Sequence, residues 1–499
     1  MADTKREIER KYESDESGLP DLTGVGGVAA VIDKGVAELD AVYYDTADER
    51  LAADGLTLRR RTGGSDAGWH LKFPVAPNVR DEVRAPLSGG IPAGLAGLLR
   101  SRVRGAELLP LVRLRSERDV RHLVDGDGLL LAEVSVDAVR AERLTGDGGA
   151  AQWTEIEVEL ADGGDPAFLD TVEKRLRKAG VRPSASASKL ARALADTAPD
   201  THPQPARHTP VTAGDHVLAY LRAQRDVLVE LDPAVRRDVY DSVHRMRVAT
   251  RRMRSALRTY GKVLDRAVTD PVGEELKWLG GELGLDRDQE VLTERLTEDL
   301  HGLPKTLVRG PVRARLRTWS KARRGGSRRR LIAVLDGRRY LALLDTLDAL
   351  LADPPLRPAA AGKPAKVIVK AVRKDYSTLS GLLEQALQLP PGNDRDLALH
   401  EARKKAKRTR YAAEAATPAL GDPATGLVRS ARTLQGLLGD HQDSVMAREA
   451  LRGLAAEAHA AQENAFTYGL LYGREEQRAA AVEAELPATW AAIRETTAL

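Results

Sequence analysis

The hydrophobic period of this chain changes once. From Arg6 to about Leu160 apolar and polar residues alternate, and from Ala213 onward apolar residues recur every three to four positions. Period 2 belongs to strands and period 3.6 to helices, so a sheet-built part must be followed by an all-helical one. Eight strand candidates (EIERKYE, LDAVYYDT, LTLRRR, WHLKFP, DEVRAPL, VRLRSERDV, LLLAEVSVD and WTEIEVEL) are separated by Gly, Asp and Pro clusters. Eight antiparallel strands can close on themselves and leave no edge exposed. Helical patterns are expected near Val25–Gly35, Ala93–Arg104 and Ala167–Ala179. The expected fold class is a multidomain α+β chain, with an eight-stranded antiparallel β tunnel and flanking helices, then an all-α domain.

Between the two patterns lies DTAPDTHPQPARHTPVT (196–212), rich in Pro and Thr, which is linker composition. The expected division is 1–196, a linker 197–212, a helical domain 213–485 and a tail 486–499. The helical part repeats itself. VHRMRVATRRMRSAL (243–257) matches LHEARKKAKRTRYAA (399–413), and LGGELGLDRD (279–288) matches LQGLLGDHQD (434–443). His244 to Asp288 is 44 residues and His400 to Asp443 is 43. Two motifs in one order at nearly one interval indicate two copies of a helical bundle, about 213–345 and 363–485, related by a pseudo-twofold axis.

Charge divides the same way. The net charge of +4 conceals 28 Lys+Arg against 34 Asp+Glu in residues 1–199, and 49 against 39 in the rest. A basic helical half implies an anionic partner. Cysteine is absent, which excludes disulfides, thiolate metal sites and a cysteine nucleophile. The charged N-terminus has no apolar signal core, and no stretch nears the ~18–20 apolar residues of a membrane span, so a cytoplasmic location without membrane attachment is expected.

The strand faces carry the chemistry. Alternation puts Glu7, Glu9 and Lys11 on one face, then Arg59 with Arg61, His70 with Lys72, Glu82 with Arg84, and Arg113 with Arg115. Glu133, Ser135 and Asp137 share a face, as do Glu155, Glu157 and Glu159. Any one of these could be the wet side of a sheet. Yet acids dominate the first and last strands and bases the middle ones, and glutamates so clustered require a cation. Carboxylates without sulfur select a hard ion, Mg²⁺ or Mn²⁺, and guanidinium groups facing them suit phosphate. A metal opposite a basic lining is the apparatus of phosphoryl transfer.

Glu7-Ile8-Glu9-Arg10-Lys11 resembles the ExExK signature of the CYTH, or triphosphate tunnel metalloenzyme, superfamily. LRRR, the WHLKFP lysine, Glu82-x-Arg84, Arg115 with Arg118, EIEVE and Ser188-Lys189 resemble its later motifs in order, over about residues 3–196. The resemblance implies an eight-stranded tunnel that binds triphosphates with two divalent ions. Glu7, Glu9, Glu155, Glu157 and Glu159 would hold metal, with Glu7, Glu9, Lys11, Glu157 and Glu159 forming the catalytic set. Lys11, Arg59, Arg61, Lys72, Arg84, Arg115, Arg118 and Lys189 would hold phosphates. Arg118 is out of phase with Arg113 and Arg115, so either a bulge intervenes or only part of that set points inward.

In the helical half, positions i, i+3, i+7 and i+10 share a face, giving one stripe of His244, Arg247, Arg251 and Arg254 and another of His400, Arg403, Lys407 and Arg410. This half, roughly 213–485, resembles the CHAD domain, which implies polyphosphate binding through these residues and His441. Asp286 stands where the second copy has His441. Arg222, Arg225, Arg324, Arg339, Lys370, Arg373 and Lys374 could extend the channel, and RRGGSRRR (323–330) could connect the lobes. Aromatic residues make up 4% of the chain and none interleaves with the stripes, which argues against nucleic acid. GxxxxGK and HExxH are both absent. The expected activity is metal-dependent hydrolysis of inorganic triphosphate to pyrophosphate and phosphate, with polyphosphate bound by the helical half. The alternatives are a thiamine triphosphatase or class IV adenylate cyclase on the same tunnel, and a non-catalytic polyphosphate adaptor.

Overall fold

A computed structural model describes residues 3–14, 18–146, 148–197, 209–324 and 327–496, without the side chains of 3, 285–289, 323, 324, 327 and 496. The chain forms two compact units, 1–206 and 207–499.

The first unit is built from strands β1 (Asp3–Glu13), β2 (Ala30–Asp45), β3 (Thr57–Thr62), β4 (Gly68–Ala76), β5 (Val79–Ala85), β6 (Leu109–Val124), β7 (Leu130–Arg143), β8 (Ala150–Leu160) and the two-residue β9 (Arg182–Pro183). Pairing runs β5-β4-β3-β2-β6-β7-β8-β1, and β1 also pairs with β5, so eight antiparallel strands close into a barrel. Helices α1 (Arg50–Ala53), α2 (Ala93–Val103), α3 (Ala167–Lys178) and α4 (Lys189–Asp196) complete the unit.

Alternation then assigns the two faces. Outward residues of β3, β4 and β5, among them Leu58, Trp69, Leu71 and Val83, form a core with Leu51 of α1 and Leu95, Leu98 and Leu99 of α2. Ile156 and Val158 of β8, with Tyr12 of β1, pack under Leu169, Val172 and Leu176 of α3. The inward side is apolar at one end, where Tyr43, Val112, Leu114, Val139 and Trp153 meet Leu190, Ala193 and Leu194 of α4. Ser188 caps α4, its side chain accepting from the Ala191 amide, and this sets Lys189 at the first helical position.

The helix expected at Val25–Gly35 is not formed. Its second half is the exposed start of β2, paired with the far end of β6 from Ala30↔Val124. A register irregularity between Asp33 and Val36 lies where the Gly35 amide donates to the Asp33 side chain, at a Gly35 φ of +84°. Cross-strand pairing overrides the local helical pattern here.

The second unit is helical throughout: α5 (Ala213–Arg236), α6 (Ser242–Thr259), α7 (Arg266–Glu282), α8 (Leu285–His301), α9 (Val312–Arg324), α10 (Ser327–Asp336), α11 (Arg338–Ala352), α12 (Pro364–Gln388), α13 (Asn393–Leu420), α14 (Asp422–Ala460) and α15 (Phe466–Thr496). Thr212 and Asp215 form a reciprocal capping box that starts α5. The first repeated motif lies on α6 and again on α13. The second spans the break between α7 and α8 in one copy and lies within the continuous α14 in the other.

Residues 486–496, expected as tail, are instead the last turns of α15. Leu486, Trp490 and Ile493 are buried against α12, α13 and α14, an apolar spacing that a tail would not carry. Most of the linker, 198–208, and residues 325–326 of the RRGGSRRR segment lie outside the described residues.

Candidate functional site

The inward faces of the barrel strands meet at a cavity of about 300 Å³. Its lining takes Glu7, Glu9 and Lys11 from β1, Arg59 and Arg61 from β3, and Lys72 from β4. Arg80 and Arg84 come from β5, Arg118 from β6, Glu157 and Glu159 from β8, and Lys189 from α4. Antiparallel register puts Glu9 opposite Glu159 and Lys11 opposite Glu157. Two glutamates facing each other repel, and every carboxylate on this wall has a cation within reach. Lys72 Nζ lies 2.5 Å from Glu7, and Lys5 Nζ lies 2.6 Å from Glu159. Lys11 bonds Glu157 and lies 3.3 Å from Glu9. Arg118 grips Asp137 with two bonds of 2.7 Å and reaches Glu157 at 2.6 Å. The Lys189 ammonium lies 2.9, 2.8 and 2.6 Å from Asp137, Glu155 and Glu157.

These contacts set the protonation. Burial would raise Glu157, but Lys11, Lys189 and Arg118 hold it well below the usual carboxylate range. Burial likewise opposes the ammonium of Lys189, and Asp137, Glu157 and Glu155 together raise it. Glu7 goes the other way, raised by burial that Lys72 only partly offsets.

Two expectations for this site need correcting. Arg115 points out of the barrel, with 61% of its side chain exposed and its nearest partner Asp40 at 3.9 Å, and it lines no part of the cavity. Pairing of β6 runs unbroken from Arg113 to Arg118, so parity alone sends Arg118 inward and Arg113 and Arg115 outward. Glu155 is buried below the cavity rather than lining it, accepting from Trp153 Nε1 at 2.6 Å and facing Lys189. The sequence pattern does not single out Asp66, Lys5 or Arg80, and it places Asp137, His70 and Glu82 on charged strand faces without a role in the site. Alternation with Glu133 and Ser135 was the signal available for Asp137.

The donor set fits a hard cation. Glu7, Glu9, Glu157 and Glu159 converge from two adjacent strands and offer oxygen only. Asp137, Glu155 and Glu157 also bring ligand atoms within 4.8 Å of one another, but the Lys189 ammonium lies against all three. The wall glutamates and the Asp137, Glu155 and Glu157 group, which share Glu157, are both acidic sets that could hold a metal, each with a lysine already against it; in the helical unit Asp396, His441 and Glu483 form a further candidate group.

In the helical unit the two basic stripes face each other. Lys407 is pushed down to about 7, by burial first and then by Arg403 on its own helix and Arg251 and Arg247 on α6. The repeat is visible at atomic detail. A Cβ on Gly284 would lie 2.8 Å from the Arg247 guanidinium, and one on Gly439, its counterpart, would lie 3.5 Å from that of Arg403. In each copy the second motif's glycine lies against the first motif's arginine, but only in the first does the arginine leave no room for a Cβ. Asp443 lies 3.9 Å from Arg403, and His400 is lowered by burial and by Lys404. Arg254 is lowered by burial and by Arg258, whereas Arg410 turns toward Glu414, at 3.4 Å, and the Tyr411 ring.

His441 does not join the stripe. It is 1% exposed and lies 3.3 Å from Asp396 and 3.2 Å from Glu483, two positions and so about half a helical turn away from Asp443. The Asp286 side chain, its counterpart, lies outside the described residues, as does that of Arg324. Of the other candidate extensions, Arg225 is 2.9 Å from Asp348 and Arg339 is bidentate on Glu275. Arg222 donates to the Leu351 carbonyl.

Two domain families match in succession, the CYTH domain over residues 5–194 and the CHAD domain over 219–452. The uncharacterized proteins Rv2226 and MT2285 of Mycobacterium tuberculosis strains H37Rv and CDC 1551 are each 39% identical over 485 residues, covering 94% of this chain and 92% of theirs. Among solved structures, PptA from Streptomyces chartreusis aligns at 23% identity and TM-score 0.48, over 56% of this chain and 99% of PptA. The CHAD domain from the plant Ricinus communis aligns at 25% identity and TM-score 0.43, over 58% of this chain and 96% of that domain. Matched by both domain families in order and by relatives along nearly its whole length, the chain belongs to the CYTH–CHAD family, with a triphosphate tunnel domain followed by a CHAD domain.

Proposed function

We propose that the tunnel hydrolyses inorganic triphosphate to pyrophosphate and phosphate with Mg²⁺ or Mn²⁺, and that the helical unit binds polyphosphate, in the cytoplasm. One observation carries the choice of substrate. The cavity lining holds nine Lys and Arg and seven Asp and Glu but a single aromatic residue, Tyr43, whose hydroxyl already accepts from Arg59 at 3.3 Å. Excess cations suit a polyanion, and no ring is free to stack on a nucleobase or thiazole.

A divalent ion held by the wall glutamates would supply charge for the phosphoryl oxygens and acidify a bound water. Arg59, Arg61, Lys72, Arg84 and Arg118 bind the phosphates and neutralise charge that develops on the leaving pyrophosphate. Water oxygen bonds to the terminal phosphorus as its bridging P–O bond breaks. A wall carboxylate would take the proton that water loses, and Lys11, bonded to Glu157, is held beside the phosphates.

The test is product formation from tripolyphosphate, ATP and thiamine triphosphate under matched Mg²⁺ or Mn²⁺. Tripolyphosphate should be preferred, and Glu159→Gln should lower its kcat at least 100-fold while polyphosphate retention persists. Preference for either organic substrate overturns the inorganic assignment. Absence of metal-dependent hydrolysis of all three leaves a polyphosphate-binding adaptor.

A further inference from the structure

His70 of β4 shares the inward face of the barrel with its register partners Arg59 and Arg84 but is 1% exposed and lines no part of the cavity. Both ring nitrogens are engaged. Nδ1 is 2.8 Å from Oε1 of Glu82, itself fully buried, and Nε2 is 2.8 Å from the carbonyl oxygen of Asp66. A carbonyl oxygen only accepts, so Nε2 carries a hydrogen. Oε1 of Glu82 also faces two cations, Lys72 Nζ at 3.7 Å and Arg59 Nη2 at 3.9 Å, which favour its ionised, accepting form. A neutral imidazole beside a carboxylate has one hydrogen too few for these contacts, and one proton added to the pair, shared between Nδ1 and Oε1, completes them.

This pair joins the groups that orient the bases. Glu82 faces Lys72 and Arg59 and accepts from Arg84 Nε through its other oxygen. Asp66, whose carbonyl anchors the ring, pairs through its carboxylate with Arg61. We propose that His70 and Glu82 share a proton that positions the phosphate-binding bases of β3, β4 and β5, and that a bound triphosphate tightens the hold on this proton. The inference rests on the triphosphate reading above.

The charges facing the pair are Arg59 and Arg61 from β3, Lys72 from β4, Arg84 from β5, Lys5 and Glu7 from β1 and Asp66 from the β3–β4 turn. Burial lowers the imidazole to about 4; the Glu82 contact opposes this, and Arg59 and Arg61 add to it. With the tunnel free of anion, the proton is held loosely. A polyanion neutralises those cations and removes their repulsion, so binding draws a proton onto the pair. By linkage, affinity rises as pH falls. His70 touches no substrate and acts as a positioning residue.

The experiment uses the full chain and tripolyphosphate. Titration calorimetry without metal at pH 7, in two buffers of different ionisation enthalpy, counts protons taken up on binding; turnover with Mg²⁺ gives KM and kcat. Wild type should take up more protons than His70→Asn, by up to one. Asn can still donate to Glu82 but cannot titrate, so its KM should stay within about threefold of wild type. His70→Ala, which loses a hydrogen bond to a charged group, should raise KM roughly tenfold with kcat moved less. Equal proton counts in wild type and His70→Asn, or an unchanged KM in His70→Ala, overturn the inference. If wild type neither binds nor hydrolyses tripolyphosphate, the triphosphate reading fails with it.

Discussion

Lys189 is the side chain on which most of the tunnel's buried charge depends. It is 9% exposed and lies within 2.9 Å of three carboxylates, two of which, Asp137 and Glu157, are held below their ordinary range. Removing one partner of a buried ion pair costs about 3–5 kcal/mol, because the remaining charges stay desolvated. Lys189→Met should therefore lower the stability of the first unit by about that much, read from denaturant unfolding. The pH dependence follows from the depressed carboxylates. Their pairing stabilises the fold above about pH 4, where they are ionised even when unfolded, and is lost as pH falls through their folded values. In Lys189→Met the depression is smaller, so the fall of stability with acid should be shallower. At the same scale, Arg115→Ala should leave kcat/KM within about twofold, since the side chain is solvated, whereas Arg118→Ala uncovers Asp137 and Glu157 and should lower it 100-fold or more. Hydrolysis assays on the two variants decide this.

At the scale of elements, α6 and α13 bring like charges together, an arrangement that favours an anion between them. Lys407, depressed to about 7, is partly neutral at physiological pH, and a polyphosphate beside it would restore its charge. Binding should take up a proton, so polyphosphate affinity should strengthen as pH falls from about 8.5 to 6. His400, also lowered, contributes in the same direction. Lys407→Arg, charged throughout, should flatten the profile if Lys407 dominates, and binding titrations at constant ionic strength measure it. The unliganded fold carries the opposite sign: the depressed lysine costs stability below about pH 7, a cost relieved as pH rises toward its unfolded value of about 10.4. The paired glycines make a second prediction. Gly284→Ala must push the Arg247 guanidinium aside and should weaken polyphosphate binding several-fold without unfolding the bundle. Gly439→Ala meets Arg403 at ordinary contact distance and should be nearly neutral.

At the scale of the whole molecule, two units with separate cores share one chain. If the helical unit gathers polyphosphate, tethering should raise the tunnel's local substrate concentration. The full chain should then release phosphate from long polyphosphate faster than residues 1–206 alone, with equal rates on tripolyphosphate at saturation; equal rates on both substrates would show no coupling. The change from sheet to helix, the barrel faces and the duplicated stripes follow from the residue pattern alone, because alternation and helical spacing are local rules that side chains obey wherever strands and helices form. Even Arg118 against Arg115 was a question of parity that the chain could pose. Which arginine faces inward was set by the fold, because it depends on an unbroken register with β2 and β7. The fold also made the second half of Val25–Gly35 strand rather than helix and the expected tail the end of α15, since partners distant in sequence supplied the hydrogen bonds and the apolar contacts. The same holds for Asp137 under Lys189, for His441 among carboxylates and for the His70–Glu82 pair. Their roles arise from desolvation and from charges on other elements, and no local pattern encodes either.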